Sequence, residues 1–248
     1  MSQLTLDLRT LYLATDDQGR NVWLIRHTPR SVDWERVGLI ICDVWDHHWC
    51  RGAEIRLAEM LPGMQALACA LRDRGATIIH APSDTMAHYA NHPARQRVLA
   101  LPTVEPPPDQ AHDDPPLPVD ASDEGCDTPG DKTAYVWTQQ HPDIAIDPQH
   151  DYVTDVGREV YNIVQAHQIE QLLIMGVHTN MCVLHRTFAI KQMVRWGQPI
   201  ALVRDLTDTM YNPARAPYVS HSTGTRLVVQ YIEAHWCPTI HSRQILGE

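Results

Sequence analysis

Short unbroken apolar runs alternate with amphipathic stretches along most of the chain. Val37 to Cys42 (VGLIIC), Ala76 to His80 (ATIIH), Gln171 to Met175 (QLLIM) and Ile200 to Val203 (IALV) have the length and continuity of strands buried on both faces. Between the first two, Ile55, Ala58, Leu61, Met64, Leu67, Ala68 and Leu71 recur with a 3.6-residue period, Gly75 stands where that helix ends, and Pro62 is expected to split or restart it. Further helices are predicted over Asp155 to His167, Met181 to Trp196 and Thr223 to Ala234. Strand, helix, strand is the unit of a parallel sheet, so the predicted class is α/β. Leu4 to Leu13 and Val22 to His27 favour strand formers on either side of Asp16-Asp17-Gln18-Gly19, which predicts an N-terminal β-hairpin. Tyr135 to Thr138 and Ile144 to Ile146 also read as strands.

The length of 248 residues suits one domain over 1–248, with an N-terminal extension over 1–36. Residues 102–132 break the pattern. Eight of the 18 prolines fall there among Asp and Glu, without periodicity, as in an ordered lid or a floppy insertion. A formal charge of −10 repels phosphate backbones and anionic lipid, which excludes nucleic acid and membrane partners. No apolar run approaches the roughly 18 residues of a membrane span, and Met1 to Arg9 lacks the pattern of a secretory signal, so a cytoplasmic protein is expected. The six cysteines form no CxxC pair and read as reduced thiols.

Ligand crevices of parallel sheets open at the carboxyl ends of the strands. Asp43, the segment Gly176 to Cys182 and Arg204-Asp205 occupy such ends. Cys182 falls in the first turn of a predicted helix, where unpaired N–H groups favour a thiolate and can receive an oxyanion. Asp43 at a neighbouring strand end would transfer the proton. The competing reading makes Cys182 one more small packing residue. Asp43, Asp46, His47, His48 and Cys50 (DVWDHHWC) are candidate metal ligands, against a blander role for Trp45, His48 and Trp49 in shaping a pocket. Arg204 and His221 are further crevice candidates, while Ser222 and Thr223 are explained by helix capping.

The combination of ICDVWD after the first core strand with GVHTNMCVLHRTFAI after a late one resembles the isochorismatase-like cysteine hydrolases, which include nicotinamidases and N-carbamoyl-amine amidohydrolases. The resemblance runs from about Val37 to Asp208. It implies a doubly wound, mostly parallel sheet with helices on both faces, and an aspartate, lysine and cysteine triad that cleaves an amide or ureide C–N bond through an acyl-enzyme. Asp43 and Cys182 match the aspartate and the cysteine. A non-proline cis peptide at Val177-His178 is implied, presenting the His178 and Cys182 amides as an oxyanion hole. The family lysine has no counterpart near Asp147 to His150; Lys132, Gln140, His141 and His150 are the candidates for its place. Trp45, Asp46, His48 and Asn180 are the candidate substrate contacts for a small molecule. No cofactor is expected, and the metal that some nicotinamidases hold lacks its histidine here, at Ala81 to Thr85. The hairpin and the segment Pro238 to Glu248 are expected to make homo-oligomer contacts. The alternatives are a binding or assembly subunit with a vestigial site, or a vinyl-ether hydrolase that uses no cysteine.

Overall fold

The computed structural model describes residues 3–247. The chain runs β1 (Gln3–Thr15), β2 (Asn21–Asp33), β3 (Val37–Cys42), α1 (Arg51–Arg72), β4 (Thr77–Ala81), α2 (Pro93–Leu99), β5 (Tyr152–Val153), α3 (Gly157–Ala166), β6 (Gln171–Val177), α4 (Cys182–His185), α5 (Ile190–Arg195), β7 (Ile200–Asp208), α6 (His221–His235), β8 (Thr239–Ile240) and α7 (Arg243–Leu246). One eight-stranded sheet has the order β2-β1-β8-β7-β6-β3-β4-β5. The strands from β3 onward pair parallel, and the β1–β2 hairpin joins antiparallel through the short β8. The α/β class and the hairpin are therefore as the residue pattern predicts, and β3 has the predicted bounds.

The alternation of side chains along each strand splits the core into two layers. Leu39 and Ile41 of β3, with Leu173, Met175, Ala201 and Val203, pack under Leu57, Leu61, Met64, Leu67 and Leu71 of α1. Ile40, Cys42, Ile174 and Leu202 face the other way, against Val160 and Ile163 of α3, Ile190 of α5 and Val228 and Ile232 of α6. Helices thus cover both faces of the sheet, and the β3 and β6 carboxyl ends lie side by side at its centre.

Four expectations change. Helix α1 passes through Pro62 without a break, with Pro62 on its exposed side. The expected Met181–Trp196 helix is two short pieces, with Arg186 extended between them (φ −60°, ψ 153°). Tyr135 to Thr138 and Ile144 to Ile146 form no strand. Instead Trp137 stacks on Trp45 at 4.3 Å, and only a single bridge pairs Trp45 with Gln140. Strand β7 continues to Asp208, so Arg204 and Asp205 lie within it, and the Arg204 guanidinium lies near Thr239 of β8. Among the described residues no helix is long and apolar enough to cross a membrane.

The insertion is tied down at many points. Cys126 forms a disulfide with Cys50, 76 residues away, with the two Cα atoms 5.8 Å apart, which overturns the expectation of reduced thiols for this pair. Long separation and the aperiodic sequence around Cys126 hid the partnership. Cys42, Cys69, Cys182 and Cys237 are free.

Candidate active site

Asp43 and Cys182 meet where β3 and β6 end. Asp43 leaves β3 with φ 49°, a left-handed conformation that Asp tolerates better than most residues, and its carboxylate is fully buried. One oxygen accepts the Ser83 N–H at 2.7 Å, from the loop after β4, and the other accepts Arg186 Nε at 3.0 Å. Arg186 also donates to Asp84 at 3.0 Å. Burial lifts the Asp43 carboxyl above its ordinary range, against the pull of Arg186 and Ser83. The Cys182 thiol is pushed far up, first by burial and then by the Asp43 charge, while Arg186 draws it down. Burial and the Asp43 charge thus favour the thiol form of the sulfur, and Arg186 favours the thiolate. Helix α4 has only four residues, too few for an appreciable dipole.

The lysine's place is taken by none of the four expected residues. Lys132 is exposed in the insertion, and His150 is an exposed partner of Asp147 at 2.9 Å. Gln140 is buried in a network with His80 and the Ile144 carbonyl, and His141 lines the outer pocket. The cation at the sulfur is Arg186. It lies just past the end of α4, in extended backbone, so helical periodicity gives no signal for it.

The Val177–His178 peptide bond is cis, as the resemblance implies. In the turn that follows, Thr179 N–H donates to the Asp208 carbonyl at 2.8 Å, Met181 N–H to the His178 carbonyl at 3.0 Å and Val183 N–H to the same carbonyl at 3.2 Å. The His178 and Cys182 amides have no acceptor among the described residues. Thr179 Oγ1 meets Thr207 Oγ1 at 2.7 Å. The Asn180 carboxamide is used at both ends on the Met210 backbone, at 2.9 and 3.0 Å, and so pins the turn. His178 is buried and its ring titrates down at about 3, through burial and then the neighbouring His48, which keeps it neutral.

Trp45, Asp46, His47, His48, Glu54, Leu57, Ala58 and His141 line a cavity of about 240 Å³ above this turn. A smaller void beneath it reaches Asp43 and His178. The Trp45 and His48 walls are flat and backed by further rings: His48 stacks on Trp45 and Trp49 and meets His178 edge-on at 4.8 Å, and Trp137, which the strand reading of its segment concealed, stacks on Trp45. Trp45 Nε1 donates to the Ser83 carbonyl at 3.0 Å. Asp46 also accepts from Thr138 N and Oγ1 at 2.9 and 2.6 Å, and so fastens the segment after the insertion to the site. His48 Nδ1 accepts from Cys50 N–H at 3.1 Å. The DVWDHHWC side chains therefore do not converge on one point. Cys50, Cys126 and Asp131 form the one grouping of metal-ligating atoms among the described residues, and its sulfurs are joined in the disulfide. His221 lines neither cavity, and its Nε2 lies 2.9 Å from Asp208.

No family sequence model matches the chain, and no curated sequence is similar enough to match it. Solved structures do. A cysteine hydrolase from Pseudomonas syringae pv. phaseolicola 1448A superposes with a TM-score of 0.54 at 14% identity, over 87% of this chain and 95% of that one. An isochorismatase from Pseudomonas putida KT2440 superposes with a TM-score of 0.51 at 11% identity, over 85% of this chain and 90% of that one. With its central β3 and β6 ends, its two helix layers and its open mostly parallel sheet, the chain shares the isochorismatase-like fold of these two structures.

Proposed function

We propose that the chain is a cysteine hydrolase that cleaves an amide or ureide C–N bond of a small molecule. The observation that carries this reading is the convergence on Cys182 of a buried carboxylate, a guanidinium and two unengaged amides. Asp43 accepts the thiol proton as Sγ attacks the carbonyl carbon, so charge separation occurs only along the reaction path. The carbonyl oxygen becomes an oxyanion held by the His178 and Cys182 N–H groups, an interaction whose loss costs roughly 100- to 1,000-fold in kcat where one donor is removed. Protonated Asp43 then returns the proton to the leaving nitrogen, and the C–N bond breaks to give a thioester. Asp43 next deprotonates a water that attacks the thioester carbonyl and releases Cys182. Arg186 cannot relay protons, since a guanidinium stays charged. Its role is to balance the Asp43 charge, so all proton transfer falls to Asp43, unlike in a site with a lysine.

The test is a screen of small amides and N-carbamoyl compounds for release of ammonia or amine, with Cys182→Ala alongside. Turnover that vanishes in the variant supports the reading, and turnover equal in both overturns it. Flat walls at Trp45 and His48, the former backed by Trp137, favour planar substrates. In a reducing compartment the Cys50–Cys126 disulfide would meet a poise that opens most such bonds. A homo-oligomer formed through the N-terminal hairpin belongs to the same proposal.

A further inference from the structure

Helix α1 supplies Ala53 and Leu57 to the floor of the site, yet its N-cap residue Cys50 makes no side-chain cap. Its first amides are capped by the insertion instead: Arg51 N–H donates to Asp131 Oδ2 at 2.9 Å and Gly52 N–H to Thr128 Oγ1 at 3.0 Å. The approach is so close that a Cβ on Gly52 would lie 2.1 Å from Asp127 Oδ1. Asp127 in turn accepts from Arg56 Nη1 at 2.6 Å, and Arg56 Nε donates to Asp208 Oδ2 at 2.9 Å. The Asp208 carbonyl holds the Thr179 N–H, within the turn that carries the His178 and Cys182 amides. An unbroken chain of contacts thus links the segment after Cys126 to that turn, and the disulfide fastens its outer end to Cys50.

We propose that Arg56 and Asp127 are positioning residues of the active site and that the Cys50–Cys126 disulfide locks them in place, so that a dithiol unlocks the site. The inference rests on the hydrolase reading. A thiolate of the dithiol attacks the half-buried Cys126 sulfur, expelling Cys50, which takes up a proton. The second thiol of the reagent then displaces Cys126, leaving two protein thiols and one oxidised, cyclic reagent.

The experiment pairs hydrogen exchange with kinetics on the full chain. It compares the oxidised protein, the protein reduced with dithiothreitol, Cys50→Ser/Cys126→Ser, Asp127→Asn and Arg56→Lys. The expected result is faster exchange of the amides in 178–186 with α3 unchanged, and kcat lower by about tenfold to a hundredfold, the scale of a small misplacement of reacting groups, at nearly constant KM. Dithiothreitol should leave the double serine variant unaltered. Asp127→Glu should restore part of kcat, which a role in stability alone would not produce. Unchanged exchange in 178–186 after reduction overturns the inference, as does faster exchange with kcat intact. If the oxidised protein turns over no amide while exchange still responds, the linkage to the turn stands and the hydrolase reading is what fails.

Discussion

A fully buried carboxylate beside a buried thiol is tolerable only because Arg186 stands against Asp43 at 3.0 Å. Replacing Arg186 with Gln leaves that charge without its partner. The cost is expected to be roughly 2 kcal/mol, below the 3 to 5 of a wholly buried pair because the Arg186 side chain is 32% exposed. Denaturant titration measures it. The same variant bears on pH. Protonated Asp43 cannot accept the thiol proton, so kcat/KM falls as pH drops through the Asp43 pKa. Burial already places that acid limb above the ordinary carboxylate range, and Arg186 holds it down. Arg186→Gln therefore moves the limb to higher pH, and an unmoved limb in the pH–rate profile would remove Asp43 as the base. Cys182→Ala, which takes away only the sulfur, should abolish turnover and leave the melting temperature within a few degrees.

At the scale of elements, the strands that flank the site were legible because VGLIIC, ATIIH and QLLIM must be apolar on both faces of a covered sheet. The residues between 102 and 151 follow no period, since their order comes from tertiary anchors such as Asp46 to Thr138 and Gly52 to Thr128. Arg186 was missed for a related reason: in a continuous helix it is one more polar position, and only the break after His185 turns it toward Asp43. Gly176, at φ 123°, lets β6 approach β3 so closely that a Cβ would lie 2.0 Å from the Cys42 carbonyl oxygen. Gly176→Ala is expected to cost about 3 kcal/mol or more, through strain in both strands that carry the site, as read by denaturant unfolding. A second joint between elements is Asp151, which receives Arg72 of α1 at 2.6 Å and lies 2.9 Å from His80 of β4. Burial would raise its pKa, but those two partners bring it down to about 2 from an ordinary 3.8, and Asp208 is likewise at about 2, where His221 and Arg56 outweigh burial. A depressed folded-state pKa stabilises above the unfolded value, so these two contributions are complete above about pH 4 and lost as pH falls toward 2. Acid unfolding of Asp151→Asn should show a shallower dependence of stability on pH across that window than the parent chain.

For the whole molecule, the sheet is asymmetric at its two ends. One side ends at β5, only two residues long, whereas the other carries the 13-residue strands of the hairpin, which project past the two-residue β8 that attaches them. The pairs Leu11–Ile25 and Leu13–Trp23 share one face of this arm, and Leu13, Trp23 and Ile25 are each about half exposed. Two strands alone are marginal in water, so an arm this apolar gains most from being covered. The outer edge of β2 is not the surface to cover it, because Arg26, Pro29 and Arg30 guard that edge against further strand pairing. The face remains, and it continues into a groove of about 470 Å³ between the arm, Tyr231 and His235 of α6, and Pro116 and Pro118 of the insertion. Sedimentation of the oxidised chain is therefore expected to show more than one copy per particle. Trp23→Arg with Ile25→Arg should reduce it to a monomer while leaving Cys182 and its partners in place, since neither residue reaches the core layers. A parent chain that sediments as a monomer at micromolar concentration would remove the arm's role in assembly. Its apolar face would then have to be covered by the insertion of the same chain, whose prolines already form one wall of the groove.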